Sequence, residues 1–544
     1  MPRHLLCAHA SQPAYGIVSI MKSIFRPLAA LLLGLIFLPG FTPSSKAKGK
    51  AEHVVMIVWD GMRPDFITPQ YTPTLYGLAT NGVFFKHHHA AYISSTEVNG
   101  TALATGVHPS RSGIMANTEY WPEMGWLSTF GTEHLDAVRR GDFLSDGRYL
   151  NVPTIADILH QAGIPTVIAG TKPVVLLHDR AWNRTSQAAK DSALIFEGKA
   201  VPRTLGDSLK KLNDDKAFPT TVTYPNTAQD TWTTKSLIEG LWKKEVPKFS
   251  VLWLSEPDKS QHETGVASDT SIAAIDGSDQ RLADVIKALD RRKVLAKTDI
   301  IVVSDHGFST INRGPDVADI LKRRGFNASK KFENPEPGDV MVVGLGGSVS
   351  LYVVERQESV IQRLVDFLQT SDFAGVIFSR LPIEGTFPLE TTRIGTANYP
   401  PDIVVSLRWS ADPNERGAPG LITSADGTKG KGHHASLSRF DMHNTLVASG
   451  PDFKRGLASE TPSGNIDVVP TILWLLGVRS TNTFDGRILH EALAGSKEPP
   501  ATATERRIEA TRDTGFFRWH QYLRFTEVGK SVYFDEGNGR PTLK

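Results

Sequence analysis

The sequence has very little cysteine and almost no net charge. Its 544 residues include one cysteine, Cys7, so no disulfide can form within the chain. The formal net charge of +2 provides no overall field that would favour nucleic acid or an anionic membrane surface. No internal repeat and no long low-complexity tract interrupts the chain. Hydrophobic and charged contents of 40% and 22% are those of an ordinary globular protein.

The N-terminal region, residues 1–47, has the pattern of an export signal. Residues 21–26 give a basic start, residues 27–38 a short apolar core, and residues 45–47 a small-x-small cleavage site. The apolar run is short for a transmembrane helix, so we expect cleavage rather than an uncleaved anchor. Met21 is then the expected start of translation. The protein is predicted to be periplasmic or secreted, with no membrane span and no cysteine after cleavage.

Buried strands alternate with helices through much of the chain. The strand candidates are apolar runs rich in β-branched residues, at residues 53–59, 166–171, 249–254 and 299–304. Amphipathic helical segments separate them. This alternation predicts an α/β fold, with a mostly parallel sheet covered by helices on both faces.

The domain organisation follows from where this pattern changes. We expect one catalytic domain over residues 48–495. Residues 118–150 lack periodicity and are interpreted as an inserted loop region, and residues 308–425 as an inserted lid subdomain. Residues 496–544 are expected to form an extension that packs on the core, with a hairpin near residues 522–534.

Acidic and histidine side chains follow the ends of the predicted strands. Ligands of open α/β sheets bind at this edge, so we expect these side chains to meet. Mixed Asp/His ligation suits zinc or another borderline divalent ion. Six ligands are too many for one catalytic zinc with an open position, which favours two ions with three protein ligands each. The six are Asp60, Asp258, His262, Asp305, His306 and His434.

Residues 92–117 present a hydroxyl, Thr96, at the predicted start of a helix. Unpaired backbone amides and the helix dipole favour an anion there. Alternatively, Thr96 is only a helix N-cap. Lys172 directly follows a predicted buried strand, at the edge of the sheet where ligands are expected. Alternatively, Lys172 is only a solvated surface charge.

Three consecutive histidines, His87, His88 and His89, invite a metal interpretation. A strand sends successive side chains to opposite faces, so the three cannot all bind one ion. We interpret them as surface or packing histidines.

Together these motifs resemble the alkaline phosphatase superfamily, and within it the type I phosphodiesterase/nucleotide pyrophosphatase family. The resemblance covers most of residues 53–120, 150–310 and 430–478. The residues that carry it are Asp60, Thr96, Asn99, Thr105, Gly106, Pro109, Gly113, Ile114, Asn117, Asp258, His262, residues 305–307, His434 and residues 450–454.

The resemblance implies an alkaline-phosphatase-like fold and an exported two-metal phosphoester hydrolase. Thr96 would be the nucleophile, through a phospho-threonine intermediate, and Asn117 would donate to a phosphoryl oxygen. The substrate would be a small phosphoester, and neither nucleic acid nor a protein partner is expected. The implied cofactors are two zinc ions or other divalent metals, the first held by Asp60, Thr96, Asp305 and His306, the second by Asp258, His262 and His434.

Two departures from the family pattern leave the substrate open. Glu97 stands where nucleotide-cleaving members carry an aromatic residue that can stack on a base, and it adds a negative charge beside the phosphoryl site. Lys172 stands where related phosphate monoesterases and phosphonoacetate hydrolases hold their substrate, although their second basic residue is Val174 here. A monoesterase or phosphonoacetate-hydrolase-like enzyme, with Lys172 as a substrate ligand, is therefore the alternative.

Other classes fit less well. A sulfatase would need a convertible cysteine or serine at the position of Val107. A serine hydrolase would need Gly-x-Ser-x-Gly at a strand-to-helix turn, and the sequence has none there. A non-catalytic metal-binding exported protein is a remote alternative, because Thr96 is retained together with all six ligands.

Overall fold

The computed structural model describes residues 49–125, 127–180, 184–395, 398–499 and 501–544. The predicted export signal, residues 1–47 with Met21, lies outside the described residues. Within them, no helix combines the length and the apolar character needed to cross a bilayer.

Strands and helices are numbered in chain order. The strands are β1 (His53–Trp59), β2 (Val83–Phe85), β3 (His88–His89), β4 (Thr118–Glu119), β5 (Phe130–Gly131), β6 (Thr166–Gly170), β7 (Ala193–Phe196), β8 (Lys199–Val201), β9 (Phe249–Leu254), β10 (Thr298–Val303), β11 (Ser309–Arg313), β12 (Ala328–Ser329), β13 (Val340–Gly344), β14 (Ser348–Val353), β15 (Ala374–Ser379), β16 (Phe387–Pro388), β17 (Ile403–Leu407), β18 (Trp409–Pro413), β19 (Pro419–Thr423), β20 (Gly432–His433), β21 (Leu446–Ser449), β22 (Leu457–Ser459), β23 (Ser463–Gly464), β24 (Ala503–Asp513), β25 (Phe517–Val528) and β26 (Ser531–Leu543).

The α-helices are α1 (Pro73–Asn81), α2 (Thr96–Thr105), α3 (Pro109–Ser112), α4 (Leu135–Leu144), α5 (Ile155–Gln161), α6 (Gln187–Asp191), α7 (Gly206–Leu212), α8 (Thr227–Lys235), α9 (Asp258–Thr264), α10 (Asp269–Arg291), α11 (Val317–Arg323), α12 (Glu358–Leu368), α13 (Arg439–Met442) and α14 (Val468–Leu475). A π-helical segment, Ser236–Leu241, continues α8.

The central sheet has nine strands in the order β22-β2-β21-β10-β1-β9-β6-β7-β8. β1 pairs in parallel with β10 and β9, and β9 pairs in parallel with β6. Only β21 and β8 run against their neighbours within this sheet. Every residue of β9 and β10 is buried, as expected for strands covered on both faces. The predicted α/β fold with a mostly parallel sheet is confirmed.

Helices cover both faces of this sheet. Val54 and Met56 of β1 contribute to one apolar core, which also contains residues of α5 and α14. Val55 and Ile57 point the other way, into a core shared with α1 and α10. The alternation of side chains along β1 thus joins both layers to one strand.

The segment between β10 and β21 adds two further sheets. One has six strands in the order β12-β13-β14-β17-β15-β16, and the other has four in the order β18-β19-β11-β20. Residues of α11 and α12 pack on the six-stranded sheet. Other residues of that sheet share a core with Tyr92 and Met115, which lie before and after α2 in the chain.

The C-terminal strands form a three-stranded antiparallel sheet, β24-β25-β26, where the sequence predicted only a hairpin. The hairpin prediction misses β24 because eight of its eleven residues are exposed and most are polar. This sheet is attached to the six-stranded sheet through Gln521, whose Oε1 accepts from Ile377 N at 2.8 Å.

The interpretation of residues 118–150 as loop is wrong in part. The segment contains the short strands β4 and β5 and the ten-residue helix α4. Ala137, Val138 and Gly141 are the buried residues of α4. Phe143 is 83% exposed, so the apolar pattern does not follow the buried face.

Candidate active site

Three adjacent parallel strands bring carboxylates to one edge of the central sheet. Asp60 directly follows β1, Asp258 begins α9 just after β9, and Asp305 lies two residues beyond β10. The three side chains are almost completely buried, at 0%, 3% and 0% exposure. Isolated carboxylates are costly at such depth, so a compensating cation is expected.

The first ligand group consists of Asp60, Asp305 and His306. His306 Nε2 lies 3.3 Å from Asp305 Oδ2 and 3.7 Å from Asp60 Oδ1. These separations between donor atoms are those of side chains that could share one ion.

The second ligand group lies beside it. Asp258 Oδ1 is 3.2 Å from His262 Nε2 and 3.7 Å from His434 Nε2. The His434 ring stacks on that of His306 with 3.7 Å between centroids, so the two groups adjoin. His433 also lies close, 4.7 Å from His262 between ring centroids.

The three predicted histidine ligands are oriented in the same way. Each Nδ1 is within hydrogen-bond distance of a backbone carbonyl, to which it donates, so each Nε2 keeps a lone pair that can bind a metal ion. Metal-binding histidines commonly have this orientation. The Nδ1 distances are 2.9 Å from His306 to Gly307 O, 2.9 Å from His434 to Ser94 O and 3.2 Å from His262 to Gly432 O.

The carboxylates supply matching unsatisfied atoms. Asp60 Oδ1, Asp258 Oδ1 and Asp305 Oδ2 are buried and have no hydrogen-bond partner in the described part of the chain. Buried acceptors without donors are rare in proteins and require an explanation. In each ligand group, histidine Nε2 lone pairs face unsatisfied carboxylate oxygens, and a divalent cation between them would bind both. The residues present are therefore suited to two such ions.

The protonation states favour metal binding on the histidine side. Burial, and then the neighbouring His306, hold the pKa of His434 well below its usual range, so this imidazole is neutral. Burial raises the pKa of Asp305 to about 7, against the opposing effect of Lys172. A bound cation would favour the ionised form of this carboxyl, so metal binding would release its proton near neutral pH.

Thr96 is the first residue of α2, and Ser95 occupies the N-cap position. The interpretation of Thr96 as the helix cap is therefore wrong. Its Oγ1 lies 3.2 Å from His306 Nε2 and is buried with the first ligand group. The hydroxyl thus lies both at a helix N-terminus and beside candidate metal ligands.

Asn117 lies next to the start of α2. Its Oδ1 accepts a hydrogen bond from Glu97 N at 3.1 Å. Because the amide oxygen is used in this way, its NH2 group is the part that can donate to a ligand.

Lys172 reaches the centre of the site. Its Nζ lies 3.0 Å from both Asp60 Oδ2 and Asp258 Oδ2, and 3.4 Å from Thr96 Oγ1. Burial alone would lower the pKa of this lysine, but Asp258 and Asp60 outweigh it and raise the pKa well above its usual range. The alternative of a solvated surface charge is wrong, because the side chain is only 13% exposed.

Two nearby residues escaped the sequence prediction. Trp253, one residue before the end of β9, donates from Nε1 to Asp60 Oδ2 at 2.8 Å. Glu133 lies in the segment interpreted as loop, and its carboxyl faces Glu97. No local pattern marks either residue, because each acquires its role only through contacts distant in sequence.

Glu97 does not carry the full negative charge that we expected. Burial, and then the Glu133 carboxylate, hold the pKa of Glu97 well above its usual range. Burial also raises the pKa of Glu133, against the effect of Lys172. The pair therefore holds protons at a pH where exposed glutamates are ionised.

Comparison with known proteins identifies the family. A family model, type I phosphodiesterase / nucleotide pyrophosphatase, matches residues 54–394. The chain belongs to this family. The predicted membership of the type I phosphodiesterase/nucleotide pyrophosphatase family, within the alkaline phosphatase superfamily, is confirmed.

Similar members of the type I phosphodiesterase/nucleotide pyrophosphatase family are distant in sequence. A venom phosphodiesterase of Macrovipera lebetinus is 24% identical over 437 residues, which are 78% of this chain and 43% of that protein. Human ectonucleotide pyrophosphatase/phosphodiesterase family member 5 is 24% identical over 259 residues, 47% of this chain and 45% of that protein. The matches span less than half the length of these curated relatives.

A solved structure supports the fold. Murine ectonucleotide pyrophosphatase/phosphodiesterase 5, as an inactive threonine-to-alanine variant in complex with AMP, superposes with a TM-score of 0.55 at 18% identity. The match covers 81% of this chain and 100% of that one. At this identity the likeness extends to the fold alone.

Proposed function

We propose that this protein is an exported two-metal phosphoester hydrolase of the phosphodiesterase/nucleotide pyrophosphatase type, with Thr96 as its nucleophile. The observation that carries the proposal is the position of Thr96 Oγ1, at the start of α2 and 3.2 Å from His306 Nε2. A hydroxyl beside two sets of Asp/His ligands is suited to attack on an electrophile that two cations hold.

We divide the ligands into the two sets that the resemblance implies. When bound, the two ions would supply a lowered pKa for the attacking hydroxyl and positive charge for the leaving oxygen. Zinc suits this mixture of carboxylate and imidazole. We assign Asp60, Thr96, Asp305 and His306 to the first ion, and Asp258, His262 and His434 to the second.

The reaction proceeds through residues of the chain. Thr96 Oγ1 loses its hydroxyl proton to solvent water and attacks phosphorus in line, the bond to the leaving oxygen breaks, and that oxygen departs with the electron pair. A phospho-threonine is formed. Water then attacks the same phosphorus, and the Thr96 oxygen leaves and regains a proton.

Two donors face the phosphoryl oxygens during these steps. The amide NH2 of Asn117 donates to a non-bridging oxygen, since its carbonyl oxygen is held by Glu97 N. The N-terminus of α2, where Thr96 is the first residue, adds favourable partial charge from the helix dipole. Both donors are in place before the reaction and need little reorganisation.

Diester cleavage is the first choice of activity, and monoester cleavage is the second. The family supports the diester, and the murine relative was solved with AMP. The position of Lys172 Nζ, 3.4 Å from Thr96 Oγ1, favours a substrate with extra negative charge, such as a phosphate monoester or a phosphonoacetate-like compound. The substrate is a small molecule in every case.

A panel of substrates tests the activity. We expect the purified protein with added zinc to hydrolyse bis-p-nitrophenyl phosphate and the p-nitrophenyl ester of thymidine monophosphate faster than p-nitrophenyl phosphate. The reason is that Lys172 already has two carboxylate partners, which reduces its attraction for a further anion. Faster monoester cleavage would favour the alternative, and no turnover of any substrate with zinc shown to be bound would contradict both.

Replacement of Lys172 by methionine tests its role. If it contacts the additional phosphoryl oxygen of a monoester, kcat/KM for p-nitrophenyl phosphate should fall by about 10- to 100-fold, the usual range for a lost hydrogen bond to a charged group. Diester hydrolysis should fall less. Lys172→Arg, which keeps the charge, is the control, and zinc content is measured for each variant. An equal loss on both substrate types would argue against a role in discrimination.

Export and the domain limits form part of the proposal. We propose removal of residues 1–47 on the way to the periplasm or the medium. A catalytic domain over residues 48–495 would then carry the inserts at residues 118–150 and 308–425, with the extension at residues 496–544. N-terminal sequencing of the exported protein tests this, and an uncleaved N-terminus would contradict it.

A further inference from the structure

A second cluster of metal-ligating side chains lies outside the candidate active site. His89 is in β3, His443 directly follows α13, and Asp535 is in β26. His89 Nε2 is 2.9 Å from Asp535 Oδ1, and His443 Nε2 is 3.9 Å from the same oxygen. Nothing in the proposed reaction uses these residues.

The backbone explains why the two histidines meet. His89 and His443 face one another in an isolated antiparallel bridge, which directs both side chains to the same face. Their ring centroids are 4.4 Å apart. Asp535 reaches this face from the C-terminal sheet, so three distant segments converge.

The other two histidines of the triplet point elsewhere. His88 bonds to Ser463 Oγ and Asn465 Oδ1, and His87 makes an exposed contact with Glu460. The expectation that the three do not share one ion therefore agrees with these contacts. His87 is exposed and His88 and His89 are buried, in agreement with the interpretation of the three as surface or packing residues.

The hydrogen bonds of His89 leave its Nε2 in a position suited to a cation. Its Nδ1 lies 2.9 Å from Ser463 O, a carbonyl that can only accept, so Nδ1 carries the proton. In the neutral ring, Nε2 then presents a lone pair to Asp535 Oδ1 across 2.9 Å. Two acceptors at this distance need a proton or a metal ion between them.

His443 and Asp535 complete the donor set. His443 Nε2 is buried and has no hydrogen-bond partner within the described ranges. The other oxygen of Asp535 accepts from Thr526 Oγ1 at 3.0 Å, which holds the carboxylate in place as in the outer shell of metal sites. A proton shared by His89 and Asp535 would leave His443 Nε2 unsatisfied, whereas a metal ion would satisfy all three atoms.

We propose that His89, His443 and Asp535 bind a third zinc ion, which joins the C-terminal sheet to the core. Ligand atoms around a tetrahedral zinc at about 2.0–2.1 Å are separated by roughly 3.3 Å, and the observed separations of 2.9 and 3.9 Å lie on either side of this value. Two imidazoles and one carboxylate are ordinary zinc ligands. We call this cluster the clamp site.

The clamp site has a structural role. His89 lies seven residues before Thr96, and His443 lies nine residues after His434, so the ion would hold the C-terminal sheet beside two segments that lead to the active site. Binding to the folded form only would stabilise this attachment. It does not take part in the reaction.

The proposal is tested by comparing the zinc content of wild type with that of variants of the clamp site. Wild type, Asp535→Asn, His443→Gln and the control His87→Gln are desalted from zinc-containing buffer, and zinc per chain is measured by inductively coupled plasma mass spectrometry. We expect both clamp variants to hold one equivalent less than wild type and His87→Gln to hold the same. The difference is independent of how many ions the active site retains. Activity at saturating zinc should stay within about twofold of wild type, since the reacting groups are unchanged.

Equal zinc content in wild type and both clamp variants would overturn the proposal and leave a proton-mediated His89–Asp535 pair. Loss of more than one equivalent together with activity would place the effect in the active site and would also overturn it. If Asp535→Asn does not fold, His443→Gln decides, because it leaves the contact between His89 and Asp535 intact.

Discussion

Replacing Thr96 by alanine is expected to lower kcat for phosphodiester hydrolysis by about 10⁴-fold or more, the scale seen when a catalytic nucleophile is removed. Without Oγ1, no phospho-threonine can form, while the six Asp/His ligands remain. Steady-state kinetics of both proteins, with zinc content measured alongside, provides the comparison.

Thr96→Ser is the matched control for this change. It keeps a hydroxyl at the first position of α2 and should retain a measurable fraction of wild-type activity. Wild-type turnover by Thr96→Ala at equal zinc content would exclude this residue as the nucleophile, and attack by an activated water would then be the better explanation.

Replacing His434 by alanine is expected to remove one zinc ion and to lower kcat/KM by more than about 100-fold. Loss of an outer-shell partner already costs up to about this much, and a direct ligand should cost more. His434 Nε2 faces the unsatisfied Asp258 Oδ1, and its Nδ1 is held by Ser94 O. Metal analysis and kinetics of the variant measure both effects.

The adjacent His433 provides the control for this prediction. Its Nδ1 accepts from the backbone amide of His434 at 2.9 Å, so this ring nitrogen is already engaged. We expect His433→Ala to keep both active-site ions and to lose less than about tenfold in activity. The opposite result, with a larger loss from His433→Ala, would exchange the two assignments.

The fold was predictable because its strands are buried on both faces. The runs that became β1, β6, β9 and β10 are continuous and apolar, and this pattern depends little on the rest of the chain. Parallel strands end at one edge, so their polar successors could be expected to meet. The same reasoning fails for β24, whose sequence is mainly polar, and for α4, whose apolar residues do not all lie on its buried face.

The burial and protonation of the site residues were harder to predict from the sequence than their positions at the ends of strands. Burial raises the pKa of Glu97, and so does Glu133, which approaches it from a segment without periodicity. The burial of Lys172 depends on carboxylates that follow other strands. Such contacts join residues far apart in sequence, and a reading of local patterns cannot supply them.

The clamp site illustrates the same limit. His89 belongs to a triplet whose alternation along a strand argues against a single shared ion. Its partners, His443 and Asp535, lie more than 350 residues away, and only the fold brings them together. Alternation excludes convergence within the triplet but says nothing about partners from other segments.

Anomalous diffraction at the zinc absorption edge, from crystals of the zinc-loaded protein, tests the two-metal site most directly. We expect two neighbouring peaks at the edge of the central sheet, whether or not a separate peak appears at the clamp site. The first should lie within ligand distance of Thr96 Oγ and of Asp60, Asp305 and His306, and the second within that distance of Asp258, His262 and His434. A single peak there, or two peaks that both lie beyond ligand distance of Thr96 Oγ, would contradict the proposed mechanism.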